Sequence, residues 1–335
     1  MKLSPSAAWT VALLALAGCS QSPEPPMTTL APKSDLADWI YRLFLEVTAW
    51  DALIFAIVIV AFILAVFVFS TRVGEAAPPA APSSDLALEI AWTAGPALVL
   101  LMISIPTVRT IFRSQPPNPP ANALEIKVTA HQWWWEFEYP GGLKTANELH
   151  IPLGRPIRLH LESADIIHSF WVPELGGKRD VVPGQINELT FVATVPGMYP
   201  GQCAEFCGLS HANMRMRVFV DSPDDFAKWN NAQIAAPAAP AANDQLAAYG
   251  AKIFVDSPCT ACHTIDGVSK GYIGPNLTHF GSRTTLAAGL LQNNPMNVAH
   301  WISDPEEIKP GANMPALLLP GHKLDALTAY LESLK

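Results

Sequence analysis

Residues 52–69 and 90–108 contain no charged side chain and are apolar almost throughout, and this limits the fold more than any other feature of the chain. About 18 such residues in helical conformation span the hydrocarbon core of a bilayer, and buried helices of water-soluble proteins seldom stay free of charge for that length. Each run is therefore expected to be a transmembrane helix. The link between them includes the Pro-rich "GEAAPPAAPSSD" and is short, so the two should form an antiparallel hairpin over residues 41–113 with both outer ends on one side of the membrane. A composition of 50% hydrophobic and only 15% charged residues agrees. Basic residues do not settle the orientation, because Arg72 lies in the link while Arg109 and Arg113 follow the second run.

Orientation rests on the N-terminus. After Lys2 the chain is apolar from 7 to 17 and reaches Leu16-Ala17-Gly18-Cys19, a small-residue cleavage pattern with cysteine after the cut. This resembles a bacterial lipoprotein signal over residues 1–18, with Cys19 as the lipidated first residue of an external segment, 19–40; the alternative is an ordinary signal peptide with a spare cysteine. Export places the hairpin's outer ends outside the cytoplasm, in an oxidising compartment. The net charge of −8 and the scattered basic residues offer no electrostatic footprint for nucleic acid.

Beyond the Pro-rich 114–122 the period changes to two. Leu124, Ile126 and Val128 alternate with polar neighbours, as do Ile157, Leu159 and Leu161, and then Leu189, Phe191, Ala193 and Val195. These are half-buried strands between Gly/Pro turns, predicting an antiparallel sandwich or barrel over residues 120–222. The Ala/Pro stretch at 231–243 is a low-complexity tether. From 244 to 335 the spacing is helical, through Leu246, Tyr249, Gly250, Ile253 and Phe254 and again through Leu324, Leu327, Tyr330, Leu331 and Leu334.

The five cysteines are Cys19, Cys203, Cys207, Cys259 and Cys262. Cys259-Thr260-Ala261-Cys262-His263 is the pattern for covalent c-type haem: two thiols three apart meet the vinyl groups and the adjacent imidazole faces the iron. Taken alone, the same five residues would also suit a zinc site or a redox dithiol. Cys203 and Cys207 lie in "GQCAEFCGLSHANM" and allow either a small disulfide loop or a thiolate metal site. Thiolates with imidazole and a weak thioether select copper in electron-transfer centres. One cysteine suffices for a single copper, whereas two at this spacing can bridge a pair. His211 and Met214 follow within the motif, and His168 in "SADIIHSF" fits a second imidazole.

His168 followed by Cys203-x-Glu205-x-Cys207-Gly-x-x-His211-x-x-Met214 closely resembles the binuclear CuA site of cytochrome c oxidase subunit II. "HQWWWEFEYP" (131–140) and "LEIAWTAGPALVLL" are similar to further segments of that family, and "GPNL" and "KPGANMPAL" to the loops of class I cytochromes c. The resemblance implies a multi-domain membrane protein: a transmembrane α-helical hairpin, an all-β cupredoxin-like domain and an all-α class I cytochrome c domain. It implies two coppers held by His168, Cys203, the Glu205 carbonyl, Cys207, His211 and Met214, and a magnesium reached by the Glu205 side chain at the subunit I interface. For haem c it implies thioethers to Cys259 and Cys262, axial His263 and Met314, and an imidazole oriented by Pro275; Met296 is the competing methionine. Trp133 would be the electron entry point, and Glu89 would stand near a proton-uptake entrance. The remaining histidines, 131, 150, 160, 279, 300 and 322, are read as surface or structural.

The whole looks like the cytochrome c-fused subunit II of a caa-type haem–copper oxidase. The expected path runs from an external donor through haem c and CuA to subunit I, where oxygen is reduced with proton pumping. That donor would be cytochrome c, another small redox protein or a quinol–cytochrome c reductase, and subunit III a further partner. The expected location is the bacterial cell membrane, multi-pass, with both external domains on the periplasmic side. A copper chaperone would leave His211, Met214 and the haem motif unexplained.

Overall fold

The computed structural model describes residues 26–68, 85–114, 120–237 and 239–335. The predicted signal and Cys19 lie outside these residues, as does most of the Pro-rich link of the hairpin.

Two long helices come first, α1 (Asp35–Val68) and α2 (Leu86–Ser114). Both are long and apolar enough to cross a membrane, and no residue of their most apolar windows is buried inside the chain. Side chains such as Phe55, Phe62 and Phe67 stand exposed, which in water would be an aggregating surface and in lipid is the solvent-matched one. The first helix starts ahead of the membrane run. Its opening half carries Asp35, Asp38, Arg42, Glu46 and Asp51 and is anchored to the sandwich that follows: Leu36 is buried, the Ser34 hydroxyl donates to Leu175 O (2.6 Å) and the Asp35 carboxylate accepts from Val192 N (2.7 Å). Arg113, in the last turn of α2, lies over the Trp39 ring (5.9 Å). Both helices are thus fixed to the external domain at one end.

The sandwich is built from β1 (Leu124–His131), β2 (Trp134–Glu138), β3 (Lys144–Ala146), β4 (Glu148–Pro152), β5 (Pro156–Ser163), β6 (His168–Trp171), β7 (Arg179–Val181), β8 (Asn187–Val192), β9 (Gly197–Cys203) and β10 (Arg215–Asp221). One sheet has the order β3-β2-β1-β5-β8 and the other β4-β10-β9-β6-β7. Alternation works as expected: Ile126, Val128, Ile157, Leu159 and Leu161 are fully buried between the sheets with Trp135, Phe137 and Phe170. The pairing differs from the antiparallel expectation in two places, because β1 and β5 run parallel and so do β4 and β10. A two-residue period records which face a strand buries, not the direction of its neighbour.

A helix that the pattern does not announce, α3 (Pro223–Ile234), follows β10 and carries the chain into the Ala/Pro stretch. Ser222 caps it, accepting from Asp225 N, and Trp229 stacks on the His150 ring (4.3 Å). The C-terminal unit then comprises α4 (Gln245–Asp256), α5 (Cys259–Cys262), α6 (Pro295–Ser303), α7 (Pro305–Ile308) and α8 (Gly321–Ser333). Its core of Phe254, Ile302, Leu327, Leu331 and neighbours shares no residue with that of the sandwich.

Helices α4 and α8 approach at Gly250, where a side-chain carbon would stand 1.9 Å from Ala326 O and 2.8 Å from Tyr330 Cβ. Backbone cannot retreat as a flexible side chain can. Gly250→Val is expected to destabilise this unit by roughly 3 kcal/mol, the upper end for overpacking; faster hydrogen exchange confined to α4 and α8 would show it.

Candidate metal and haem centres

The first centre is assembled by the β9–β10 turn. Cys203 ends β9 and Met214 precedes β10, and Cys203 N donates to Met214 O (2.9 Å) to close the loop that carries Glu205, Cys207 and His211. Ala204 N donates to Ser169 O (2.9 Å), fastening this loop to β6 and hence to His168. Five residues of the sequence motif and one distant histidine thereby converge. The sulfurs of Cys203 and Cys207 are 3.7 Å apart. His168 Nδ1 lies 3.9 Å from Cys203 Sγ, His211 Nδ1 3.5 Å from Cys207 Sγ, and Met214 Sδ 3.9 Å from Cys207 Sγ. The Glu205 carbonyl lies 3.2 Å from Cys203 Sγ, while its side chain is exposed.

This donor set fits a soft metal. Both thiols are free and buried, at a separation far beyond the roughly 2.05 Å of a disulfide. His168, Cys203 and Cys207 bring one donor atom each within 4.8 Å of one another. The Cys203 thiol is held far below its usual range, first by the hydrogen bond with Cys207 and also by His168, against the effect of burial. Cys207 is pushed up by the same pairing and by burial. One sulfur of the pair is thus ready to bind metal as thiolate.

Sequence reasoning passes over two residues that hold this centre in place, Asp165 and Gln132, and a third, Lys309, that secures Trp133 beside it. Asp165 Oδ1 lies 2.7 Å from His168 Nε2, which places the ring proton on Nε2 and leaves the Nδ1 lone pair for the sulfur side. Burial works to lower the His168 pKa, but Asp165 and Cys203 outweigh it and raise it. Gln132 Nε2 donates to Cys207 O (2.9 Å). Lys309, almost fully buried, donates to Trp133 O; burial pushes its ammonium down to about 7 against the pull of Cys207. Asp165 was the most legible, three residues before His168. Trp133 itself is buried and donates from Nε1 to Cys207 O (2.7 Å). Gly208, at φ +108, passes against its ring, where a side-chain carbon would lie 3.1 Å from Cζ2.

The second centre lies in the helical unit. Cys259 and Cys262 are free thiols on the single turn of α5, and His263 Nδ1 is 2.8 Å from Pro275 O. That carbonyl accepts a hydrogen bond from Nδ1–H, which keeps the proton on Nδ1 and leaves Nε2 as the ligating nitrogen. Burial lowers the His263 pKa, with the Pro275 bond opposing, which favours the neutral form of the ring. A side-chain carbon at Gly274 would stand 2.6 Å from His263 Cε1, so only glycine admits the ring in this position. Met314 is half-buried and packs on the unit's core, whereas Met296 is exposed. Two thiols, a fixed neutral imidazole and a thioether in one small core suit a covalently held haem. Glu89 lies apart from both centres, in the first turn of α2 and about 36 Å along it from Arg113.

Residues 141–221 match the family described as cytochrome C oxidase subunit II, periplasmic domain, and residues 247–335 match cytochrome c. The chain is 36% identical over 328 residues to cytochrome c oxidase subunit 2 of Alkalihalophilus pseudofirmus, covering 96% of this chain and 94% of that one. It is 34% identical to the protein of the same name from Bacillus subtilis, over 96% and 95% of the two chains. A crystal structure of the periplasmic domain of subunit II of cytochrome oxidase from Bradyrhizobium japonicum shares 35% identity, covering 34% of this chain and 95% of that one, with a TM-score of 0.33. The chain belongs to the cytochrome c oxidase subunit 2 family. A subunit II domain implies copper and a cytochrome c domain implies haem c, which makes this a membrane-anchored electron-entry subunit of the oxidase.

Proposed function

We propose that the copper is the binuclear CuA centre, held by His168, Cys203, the Glu205 carbonyl, Cys207, His211 and Met214, and that haem c is held by Cys259, Cys262, His263 and Met314 with Pro275 orienting the imidazole. The buried thiol pair, 3.7 Å apart with two imidazoles and a thioether beside it, carries the assignment. Both groups supply one-electron transfer with small change in bonding. The chain's residues fix the donors beforehand: Asp165 sets the tautomer of His168, Pro275 that of His263, and the sandwich core keeps water from the sulfurs.

Trp133 joins the two units as the electron entry point. Its indole bonds to Cys207 O on one side and meets Gly311 on the other, where a side-chain carbon would lie 2.8 Å from Cη2. Gly311 is three residues from Met314. The exposed Glu205 carboxylate is available to a magnesium shared with subunit I, Glu89 to a proton-uptake entrance and Cys19 to acylation. Subunits I and III are the oxidase partners, and the external donor is cytochrome c, another small redox protein or a quinol–cytochrome c reductase. The setting is a bacterial cell membrane crossed twice, with both domains on the periplasmic side. Metal analysis with optical and EPR spectra of the detergent-solubilised oxidase tests the assignment: two coppers and one covalent haem per chain are expected, whereas zinc or a Cys203–Cys207 disulfide would refute it.

A further inference from the structure

The tether would let the cytochrome unit wander, yet among the described residues hydrogen bonds hold it against the copper-binding sandwich at two places. One is the 309–311 loop over Trp133, where Ser210 Oγ also donates to Pro310 O (2.6 Å). The other is a carboxylate with no part in either ligand set. Glu148 opens β4, the edge strand of its sheet, and is buried. Its Oε1 accepts from Thr284 N (2.9 Å), Thr284 Oγ1 (2.5 Å), Thr285 N (2.8 Å) and Thr285 Oγ1 (2.9 Å), and its Oε2 from Thr284 N (3.2 Å). Arg217, opposite Glu148 in the parallel register, donates to Thr284 Oγ1 (3.4 Å).

A carboxylate leaves water at great cost unless its oxygens are hydrogen-bonded. Among the described residues, the hydrogen bonds to the Glu148 carboxylate come from the cytochrome unit, so the burial is satisfied by the contact between the two units. We propose that Glu148 is a positioning residue that docks the chain's own cytochrome unit, through Thr284 and Thr285, with the 309–311 loop seated on Trp133. The inference rests on the assignment of the two centres made above. Docking turns haem-to-copper transfer from repeated encounters on a tether into transfer within one fixed contact.

The experiment uses the intact, metal-loaded oxidase: an electron is injected photochemically into haem c and the copper absorbance is followed in buffers of increasing viscosity. In the unmodified protein the transfer should be insensitive to viscosity. Glu148→Ala should slow it roughly tenfold or more, since the transfer-competent population falls with the lost charge-assisted bonds, and should make it viscosity-dependent. Glu148→Gln keeps the Oε1 acceptor and should fall between the two. Thr284→Val with Thr285→Val, outside the copper-binding unit, should slow transfer in the same viscosity-dependent way. Copper EPR and haem spectra should be unchanged in all of them. An unaltered, viscosity-independent rate in Glu148→Ala, or in the threonine pair should Glu148→Ala fail to fold, overturns the docking role. Absence of the copper or haem signal from the unmodified oxidase would instead overturn the assignment of the centres.

Discussion

If the centre is binuclear as proposed, Cys207→Ala should bring the copper content of the oxidase from two per chain to one or none and reduce oxygen consumption by about 100-fold or more, beyond the 10–100-fold typical of losing a residue that merely supports a ligand. Cys207 is where the donors meet. Its sulfur is the contact shared by Cys203, His211 and Met214, and without it His211 and Met214 have no bridge to the Cys203 and His168 side. The carbonyl of residue 207, which receives both Trp133 and Gln132, survives the change. Loss of activity would therefore report the metal and not a displaced tryptophan. In EPR, hyperfine structure from an electron shared over two nuclei should give way to that of a single copper or vanish. Haem absorbance should persist, because the cytochrome unit has its own core. A variant that still binds two coppers would remove the bridging role from this sulfur.

What the sequence discloses and what it hides follow from the range of the interactions. The membrane runs are legible because lipid imposes one rule on every residue of a span, and the copper and haem motifs because most of the proposed ligands are close together: Cys203 to Met214 lie on one turn and Cys259 to His263 on another, with Met314 in a separate loop. His168 comes from 35 residues away, yet is readable beside a strand end with Asp165 close by. The parallel pairing of β1 with β5 is not, since alternation at Ile126 and Ile157 specifies a face and leaves the partner open. Neither is α3, whose Trp229 has its reason in His150 across the sheet. Glu148 is the extreme case: on the strand it is one polar residue among many, and its partners lie 136 and 137 residues further on. Lys309 likewise sits within a motif whose haem role conceals its bond to Trp133. Ligand sets written in short loops can be read directly, but contacts between domains become visible only once both surfaces exist.

Removing residues 244–335 should leave the copper centre fully loaded while turnover with micromolar external donor falls by about 100-fold, the lower end of the gain that tethering confers. The proposed copper ligands and the residues that orient them, Asp165 and Gln132, all lie in the sandwich, whose core contains nothing from the helical unit, so the donors are expected to keep their places without the cytochrome. What truncation takes away is the cover of Trp133 by Gly311, the Lys309 bond to its carbonyl and the threonines that satisfy Glu148. Each of these belongs to the contact between the units, and none is a proposed copper donor. Adding the separate cytochrome unit back at millimolar concentration, comparable to what a short flexible tether provides, should then restore most of the lost rate, and Glu148→Ala in the truncated partner should blunt that rescue. Loss of copper on truncation would mean that the cytochrome helps to build the site that it is here expected only to feed.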